Sequence, residues 1–200
     1  MTEATLINKV WNYATIMKDA GLSYTDYVRQ LTYLLFLKMD HERETLLNEG
    51  SIVPKKFRWN TLLNLGGAEL EQHYSHILEA LSKEKGIIGT IFRRAKNEIT
   101  DPAKLKQLIA LINKETWLAL DMDVKGAIYE GLLQKNATET KAGAGQYFTP
   151  RPLICAMVEV MRPTPEMTVV DPACGTGGFL LAAYDYMKKQ TRDRTVLKEL

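Results

Sequence analysis

Ten residues near the carboxyl end of the chain, 171-DPACGTGGFL-180, hold three glycines directly after a short apolar run. Glycine has no Cβ, so backbone N–H groups at Gly175, Gly177 and Gly178 could come within contact distance of a ligand. A strand that leads into a glycine turn and a helix is typical of nucleotide-like cofactor sites, with the ligand beyond the strand's carboxyl end. The segment therefore indicates a cofactor loop that begins at Asp171.

Several ligand classes use a turn of this kind. A phosphate loop needs a lysine after its last glycine, and Phe179 occupies that position. A dinucleotide fingerprint needs G-x-G-x-x-G, and Leu180 stands where the third glycine belongs. The glycines could also serve a tight turn without any ligand. The pattern alone leaves these possibilities open.

The elements that must position this loop are predicted to be helix, strand, glycine turn and helix. Thr149 can cap the first helix, and prolines at 150 and 152 suit its first turn. Residues 167–171 favour a β-strand, and a helix is expected over about 177–189. The face of the first helix that we expect to be buried carries Leu153, Met157, Val160 and Met161. This order predicts the start of a doubly wound α/β domain over residues 141–200.

Residues 1–140 are predicted to form an all-α N-terminal domain, because apolar residues recur at helical spacing almost throughout. Ser23 is expected to cap the second helix, and Asp101 followed by Pro102 marks the start of another. Residues 50–60 are expected to interrupt the helices. A short helix is expected over about 87–96, and another is expected to begin near Asp121. The predicted buried positions are Leu6, Val10, Tyr13, Met17, Tyr27, Leu31, Leu34, Leu35, Phe36, Leu70, Tyr74, Ile77, Leu78, Leu81, Leu105, Leu108, Ile109, Ile112, Val124, Ile128, Leu132 and Leu133.

Composition excludes several classes of protein. The 200 residues are 46% hydrophobic and 25% charged, which excludes disordered and fibrous chains. Apolar runs fall short of the roughly 20 residues that cross a bilayer, and the first residues lack the pattern of a secretion signal, so a cytoplasmic protein without a membrane segment is expected. Cys155 and Cys174 have no ligand-like spacing, so they are expected to be reduced thiols packed as small apolar groups, with no metal site.

Two segments together carry a resemblance to a known family. The segment 171-DPACGTGGFL-180 resembles the first cofactor motif of DNA amino-methyltransferases, and 145-GQYFTPRPLI-154 resembles the motif that precedes it in adenine methylases. With the leader 126-GAIYEGLLQKNATETKAGAGQYFTP-150, the chain resembles the modification (M) subunit of type I restriction–modification systems. The helical region ahead of these motifs is similar to that family's N-terminal domain.

The resemblance implies a Rossmann-like methyltransferase domain that binds S-adenosyl-L-methionine. Thr176, Gly177 and Gly178 would touch the methionine part, and Asp171 would orient the loop or the ligand's amino group. The upstream motif would fold over the cofactor from the other side, with aromatic walls, a hydroxyl partner and a cation near the carboxylate. The implied cofactor-binding residues are Gln146, Tyr147, Phe148, Thr149, Pro150, Arg151, Asp171, Gly175, Thr176, Gly177 and Gly178.

The implied reaction is methyl transfer to adenine N6 in a specific DNA sequence, together with a specificity (S) subunit. The base-binding N-P-P-F type motif of that family does not occur in these 200 residues, so no catalytic residue is assigned. The chain is accordingly expected to be an N-terminal portion that is truncated within the methyltransferase domain, transfers no methyl group alone and binds the cofactor weakly. The alternatives are a non-catalytic module that clamps DNA and docks subunits, and a fragment of a nicotinamide oxidoreductase.

Double-stranded DNA, a second M subunit and a restriction (R) subunit are the further partners that the resemblance implies. The chain has 26 basic and 24 acidic side chains, so any contact with DNA must be local or shared. Two basic clusters are the places where phosphate contacts are expected, with solvated surface charge as the alternative for each. They are Lys55, Lys56 and Arg58, and Arg93, Arg94 and Lys96.

Overall fold

The computed structural model describes residues 3–18, 21–118, 131, 149–175, 177–193 and 195–199. Its contacts divide the chain into residues 8–120, called here the helical unit, and residues 1–7 with 121–200, called here the glycine-loop unit. The predicted domain boundary near residue 140 and the predicted helix with Val124 and Ile128 lie outside the described residues. Among the described residues, no helix is long and apolar enough to cross a membrane.

Residues 3–113 carry six α-helices within their described part. They are α1 (Glu3–Lys18), α2 (Tyr24–Leu46), α3 (Trp59–Leu63), α4 (Gly67–Ser82), α5 (Gly86–Ile91) and α6 (Pro102–Asn113), with a 3₁₀ turn at Lys55–Phe57. The two predicted helix caps are confirmed. The Ser23 hydroxyl accepts a hydrogen bond from the Asp26 amide at 3.2 Å, and the Asp101 carboxylate accepts one from the Ala103 amide at 2.8 Å.

The core of the helical unit is the one that helical spacing predicts. All five predicted positions of α4, from Leu70 to Leu81, are buried, and so are all four of α6. The predicted side chains of α1 and α2 are buried as well, except that Phe36 is half-buried and the side chain of Leu6 is not described. Each full burial of such a side chain contributes about 1.5–3 kcal/mol relative to exposure.

One prediction for this region is confirmed and one is wrong. The predicted interruption lies between Leu46, where α2 ends, and Trp59, where the short helix α3 begins. The Trp59 side chain is fully buried, and its indole N–H donates to the side-chain oxygen Oδ1 of Asn113 at 2.9 Å. This partner on α6 is remote in sequence, so local spacing could not reveal it. The helix expected over about 87–96 ends at Ile91 and continues as a turn.

A buried ion pair holds the end of the helical unit against α2. The Lys38 ammonium lies 3.2 Å from the Glu42 carboxylate, and both side chains are at least nine-tenths buried. The other Glu42 oxygen accepts a hydrogen bond from the Leu118 amide at 2.8 Å. A charge that is removed from water needs such partners to be tolerated, so this pair fixes Leu118 relative to α2.

The glycine-loop unit contains α7 (Arg151–Met161), α8 (Gly178–Lys188) and a terminal turn, α9 (Val196–Glu199). Ile154 and Val158 of α7 pack with Ala182 of α8, and Phe179 and Tyr186 flank them. The two helices run in the same direction. Their first residues, Arg151 and Gly178, lie close together. Beyond their last residues, the side-chain amide of Gln190 after α8 donates to the Pro163 carbonyl after α7 at 2.8 Å. The start of α8 near 177 and its end near 189 were predicted well.

Three predictions for this unit are wrong. The N-cap of α7 is Pro150 and no side chain caps the helix, so Thr149 is not the cap. Residues 167–171 do not form a strand, since strands exist through ladder hydrogen bonds and no described segment pairs with them. The buried face of α7 is Ile154 and Val158. The four side chains expected to be buried are all exposed: Leu153 at 51%, Met157 at 47%, Val160 at 80% and Met161 at 77%.

Candidate cofactor site at the glycine loop

The glycine loop is a sequence of tight turns between an extended segment and α8. The Asp171 carboxylate accepts a hydrogen bond from the Ala173 amide at 3.0 Å, which closes the first turn. The Cys174 carbonyl accepts from the Gly177 amide at 2.7 Å, which closes the second. Gly175 and Gly177 have φ angles of +52° and +78°, a region that residues with a Cβ adopt at a cost. Both glycines are therefore needed for the shape of the loop.

Gly178 is needed for a different reason, the close approach of α7. A Cβ on Gly178 would lie 3.0 Å from the Ile154 Cδ1 atom, closer than ordinary contact, and 3.7 Å from the Arg151 Nη1 atom. The first turn of α8 thus lies directly beside the first turn of α7. Gly178 was expected to contact a ligand. Ile154 was not among the expected site residues, because its role depends on a contact between the two motifs.

The contact between Arg151 and Gly178 brings the two sequence motifs together. Arg151 belongs to the segment 145–154 and Gly178 to the segment 171–180, and the guanidinium carbon lies 3.9 Å from a Cβ built at Gly178. The N-cap of α8 is Gly177, whose side chain is absent, so the first amides of this helix receive no side-chain cap. A helix N-terminus and a guanidinium both favour an anion, so a carboxylate or phosphate would be stabilised at this corner.

An open apolar cavity of about 490 Å³ lies beside the loop. Its walls come from α7, the extended segment and α8, and it reaches the glycine loop only at Asp171 and Pro172. Its lining consists of Met157, Val158, Met161, Pro163, Met167, Thr168, Val169, Val170, Asp171, Pro172, Phe179 and Ala183. Arg151 and Gly178 do not line this cavity. The anion-favouring corner and the apolar cavity are therefore separate features of this unit.

Part of the predicted site lies outside the described residues. This holds for Gln146, Tyr147, Phe148 and Thr176. Thr149 and Pro150 are described, and both are exposed at the start of α7. The structure therefore places Thr149, Pro150 and Arg151 at the end of α7 that adjoins the loop.

The two cysteines differ in their surroundings. Cys155 on α7 is half-buried, but Cys174 is exposed in the glycine loop, so the prediction that both pack as small apolar groups is wrong for Cys174. In the described part of the chain, no three acidic, histidine or cysteine side chains gather in a way that could hold a metal ion.

The first basic cluster combines exposed and engaged side chains. Lys55 and Lys56 are exposed, and the Lys56 ammonium lies 4.7 Å from the centre of the Phe57 ring. Arg58 is half-buried, and its guanidinium contacts the Glu44 carboxylate at 2.5 Å and the Val53 carbonyl at 3.2 Å. Arg58 thus ties the segment that contains Val53 to α2.

The second basic cluster is fully exposed. Arg93, Arg94 and Lys96 all lie in the turn that follows α5, and each is exposed. No carboxylate of the described residues forms a salt bridge with any of the three. Their charges are therefore available to a partner in a way that the charge of Arg58 is not.

Comparison with known families divides the chain into the same two parts. Residues 6–112 match the family described as "HsdM N-terminal domain", and residues 120–198 match the family described as "N-6 DNA Methylase". The first match covers more than half of the chain. The order of the two matches, a helical domain followed by the glycine loop, is the order in which the two units follow one another in this chain.

Individual relatives agree with the family matches. The methylase subunit of the type I restriction enzyme StySPI from Salmonella potsdam is 41% identical over 96% of this chain, which spans 37% of that subunit. A modification subunit of a putative type I restriction enzyme from Vibrio vulnificus YJ016 shares the fold, with a TM-score of 0.74, 24% identity and coverage of 98% of this chain and 48% of that one. A chain from a type I restriction–modification system, described for complex assembly and conformational transition, aligns with a TM-score of 0.67 and 28% identity over 99% of this chain and 44% of its own.

The chain belongs to the HsdM family, the methylase subunits of type I restriction–modification systems.

Proposed function

We propose that this chain forms the cofactor-side part of a DNA methylase subunit, which transfers a methyl group from S-adenosyl-L-methionine to adenine N6 in a specific DNA sequence. The observation that carries the proposal is the contact between Arg151 and Gly178, since it joins the two motif segments at the start of α8. A subunit that modifies DNA in a bacterial cell works in the cytoplasm, and we place the protein there.

The carboxylate of the cofactor's methionine part is the group that this corner suits. The first amides of α8 point out of the helix end, and the Arg151 guanidinium adds a positive charge beside them. Asp171 supports the loop itself, because its carboxylate already accepts the Ala173 amide. When bound, S-adenosyl-L-methionine supplies the methyl carbon on a positively charged sulfur.

The other proposed contacts complete the site from the upstream motif and the loop. Tyr147 and Phe148 would form apolar walls, Thr149 would offer a hydroxyl, and Pro150 would fix the turn. Gln146, Gly175 and Thr176 are the remaining proposed contacts. Thr149 is exposed beside the start of α7 and does not cap this helix.

The test of the cofactor site is a titration of the chain with S-adenosyl-L-methionine, followed through the NMR shifts of backbone amides. Weak binding that shifts the amides at the start of α8 is expected. Arg151→Met should weaken it, because the carboxylate loses its cation. Arg192→Met removes an exposed charge of the same type elsewhere in this unit and should leave the affinity unchanged. Shifts that are absent at millimolar cofactor, or equal in the two variants, would contradict the proposal.

We further propose that the helical unit contacts the phosphate backbone of double-stranded DNA. Support comes from the exposed cations of the two basic clusters, Lys55 and Lys56 in one and three residues in the other. Arg58 is the weakest of the six predicted contacts, because it is held by Glu44. A non-catalytic module that clamps DNA and docks subunits remains the second candidate, favoured by a helical unit with its own closed core.

The salt dependence of DNA binding separates the clusters. Each lost phosphate contact should lower the slope of log affinity against log salt by about 0.9. Replacing Lys55 and Lys56 with glutamine tests one cluster, and Lys114→Gln removes a single exposed charge as a control. An unchanged slope would exclude the cluster that was changed.

Assembly with other subunits is part of the same proposal. We propose a specificity subunit, a second M subunit and a restriction subunit as partners, supported by the similarity to a chain described for type I complex assembly. Co-purification with a specificity subunit would test this, and failure to associate at micromolar concentration would count against it.

A further inference from the structure

The turn that follows α5 alternates buried anchors with exposed cations. Phe92 and Ile99 are fully buried and Ala95 is 8% exposed. The Ala95 amide donates to the Phe92 carbonyl at 2.8 Å, which closes the turn. Three of the side chains between these anchors are exposed and basic: Arg93, Arg94 and Lys96. Residues 92–96 are called the basic turn below.

Aromatic packing against α2 fixes the first anchor. The Phe92 ring stacks on Tyr33 with a centroid distance of 5.2 Å and an interplanar angle of 24°. It also meets the edge of Phe36 at 5.4 Å and 77°. Both geometries are favourable for aromatic pairs and add to the burial of apolar surface. The basic turn therefore starts from a fixed point on α2.

A buried glutamine fixes the other end of the basic turn. Gln30 of α2 is fully buried, and its side-chain amide donates to the Lys96 carbonyl at 2.7 Å. Its carbonyl oxygen accepts from the Tyr74 hydroxyl of α4 at 3.0 Å. A buried amide must satisfy both its donor and its acceptor, so Gln30 joins α2, α4 and the basic turn through one side chain.

The backbone carbonyl of Lys96 keeps this bridge in one orientation. A carbonyl only accepts, so the Gln30 amide nitrogen must face Lys96 and the Gln30 oxygen must face the Tyr74 hydroxyl. Burial raises the pKa of Tyr74 well above its usual value, so the hydroxyl stays protonated and donates to that oxygen. The bridge thus presents a donor to the basic turn at any physiological pH.

Arg94 occupies a backbone conformation that does not suit an arginine. Its φ angle is +58°, in the left-handed region where glycine and asparagine are favoured. The anchors on either side impose this conformation. An arginine at such a position costs folding free energy, and no salt bridge to a described residue offsets that cost.

We infer that the basic turn is a preorganised phosphate-binding turn for the DNA backbone, and that Gln30 is the residue that positions it. This inference rests on the proposed contact of the helical unit with DNA. The turn holds three exposed cations, and two carboxylates are near it: that of Glu98, which is exposed, and that of Glu71, which accepts from the Asn97 side-chain amide at 3.5 Å. Guanidinium groups match the oxygens of a phosphate, and a rigid turn loses less conformational entropy on binding than a mobile one.

Three variants of the chain test the inference against a duplex of random sequence, with fluorescence anisotropy as a function of salt. Replacing all three cations with glutamine should weaken binding about tenfold or more and lower the salt slope by about 2–3. Gln30→Leu keeps every cation but removes the bridge. It should weaken binding by about two- to tenfold, because the turn must now be ordered on binding, with little change in slope.

Arg94→Gly gives the sharpest expectation because two measured quantities should move in opposite directions. Glycine adopts the left-handed conformation without strain, so the midpoint of thermal unfolding should rise. One phosphate contact is lost, so the salt slope should fall by about 0.9. A variant that gained stability and kept the wild-type slope would show that Arg94 touches no phosphate.

The positioning role has a readout that does not depend on DNA. In Gln30→Leu, NMR order parameters of the amides at residues 93–96 should fall while those of α6 stay unchanged. Leu108→Ala, which opens the core at a fully buried position on α6, serves as the stability control and should leave both the order of the turn and DNA affinity in place.

The possible failures are distinguishable. No salt-dependent binding by the unmodified chain would overturn the DNA contact and this inference together. Binding that survives loss of the three cations would overturn the basic turn as the site while leaving the DNA contact to other residues. Binding that depends on the cations but is insensitive to Gln30→Leu, with the turn still ordered, would overturn the positioning role alone.

Discussion

The helical unit and the glycine-loop unit bury their apolar residues to different degrees. In α4 every side chain that helical spacing marks as buried is buried, from Leu70 to Leu81. In α7 the side chains so marked are exposed, and Val160 reaches 80% exposure. The helix α7 is the more apolar of the two, so burial does not simply follow apolar content.

The difference comes from the neighbours of each helix. A helix with apolar residues on one side has one possible buried face, whereas α7 has them on most of its circumference, as in helices that are covered on two sides. In the described residues α8 packs on the side of Ile154 and Val158, and the adjoining side with Met157 and Met161 borders the apolar cavity. Spacing identifies which residues share a face, but the surrounding structure decides which face is covered.

The largest expected effect contrasts a core position with an exposed apolar one. Leu70→Ala should lower the free energy of unfolding of the helical unit by about 2–5 kcal/mol, because it leaves a cavity at a fully buried site. Val160→Ala should change stability by less than about 0.5 kcal/mol, because the side chain is already in water. Urea unfolding followed by tryptophan fluorescence reports on the helical unit, which holds all three tryptophans, and circular dichroism reports on the whole chain. Equal losses for the two variants would contradict the contrast.

A medium effect is expected in the glycine loop, where two adjacent glycines serve different purposes. Gly177→Ala should cost about 1–2 kcal/mol through its φ angle of +78°. Gly178→Ala should also destabilise α8, but by crowding Ile154 at 3.0 Å. Adding Ile154→Val should therefore relieve Gly178→Ala and not Gly177→Ala. Hydrogen exchange of the α8 amides measures both, and relief of both variants by Ile154→Val would disprove the distinction.

The smallest expected effect is a pH dependence of stability. Histidine titration should cause it in the helical unit only. All three histidines lie in this unit. Burial, and then the neighbouring His76, lower the pKa of His73, whose Nε2 lies 2.8 Å from the Thr61 hydroxyl. A lowered pKa means that the folded state favours the neutral ring. The associated stability is present above the ordinary histidine pKa of about 6.5 and is lost as the pH falls through the pKa of the folded state.

The imidazole shift of His73 followed by NMR, together with urea midpoints across the same pH range, checks this expectation. His73→Asn should remove the loss of stability that His73 causes at acidic pH. A folded-state titration at or above the ordinary value would show that the sign is wrong.

Sequence predicted the fold where the cause lies within a few residues. The Ser23 and Asp101 caps are local, and so are the stripes of α4 and α6. It failed where the cause is remote. The short helix α3 begins at Trp59, whose indole bonds to the distant Asn113 side chain. Residues 167–171 have the composition of a strand, but no described segment pairs with them.

The candidate site divides in the same way. Gly175 and Gly177 were assigned to the approach of a ligand, and their positive φ angles show that the turn itself also requires them. The pairing of Arg151 with Gly178 depends on the approach of two helices, and only the resemblance to a methylase family pointed to it. Ile154 was missed because its partner, a glycine, has no side chain to suggest a contact.

The hydrogen bond from the Leu118 amide to Glu42 has a consequence for how the chain can be cut. A protease needs several residues of extended, detached backbone, and Leu118 is held near the carboxyl end of α2 by a buried carboxylate. Cleavage between the two units should therefore fall after residue 118, and the surviving amino-terminal product should keep its tryptophans and its melting behaviour. The clamp makes the helical unit a piece that can be excised whole.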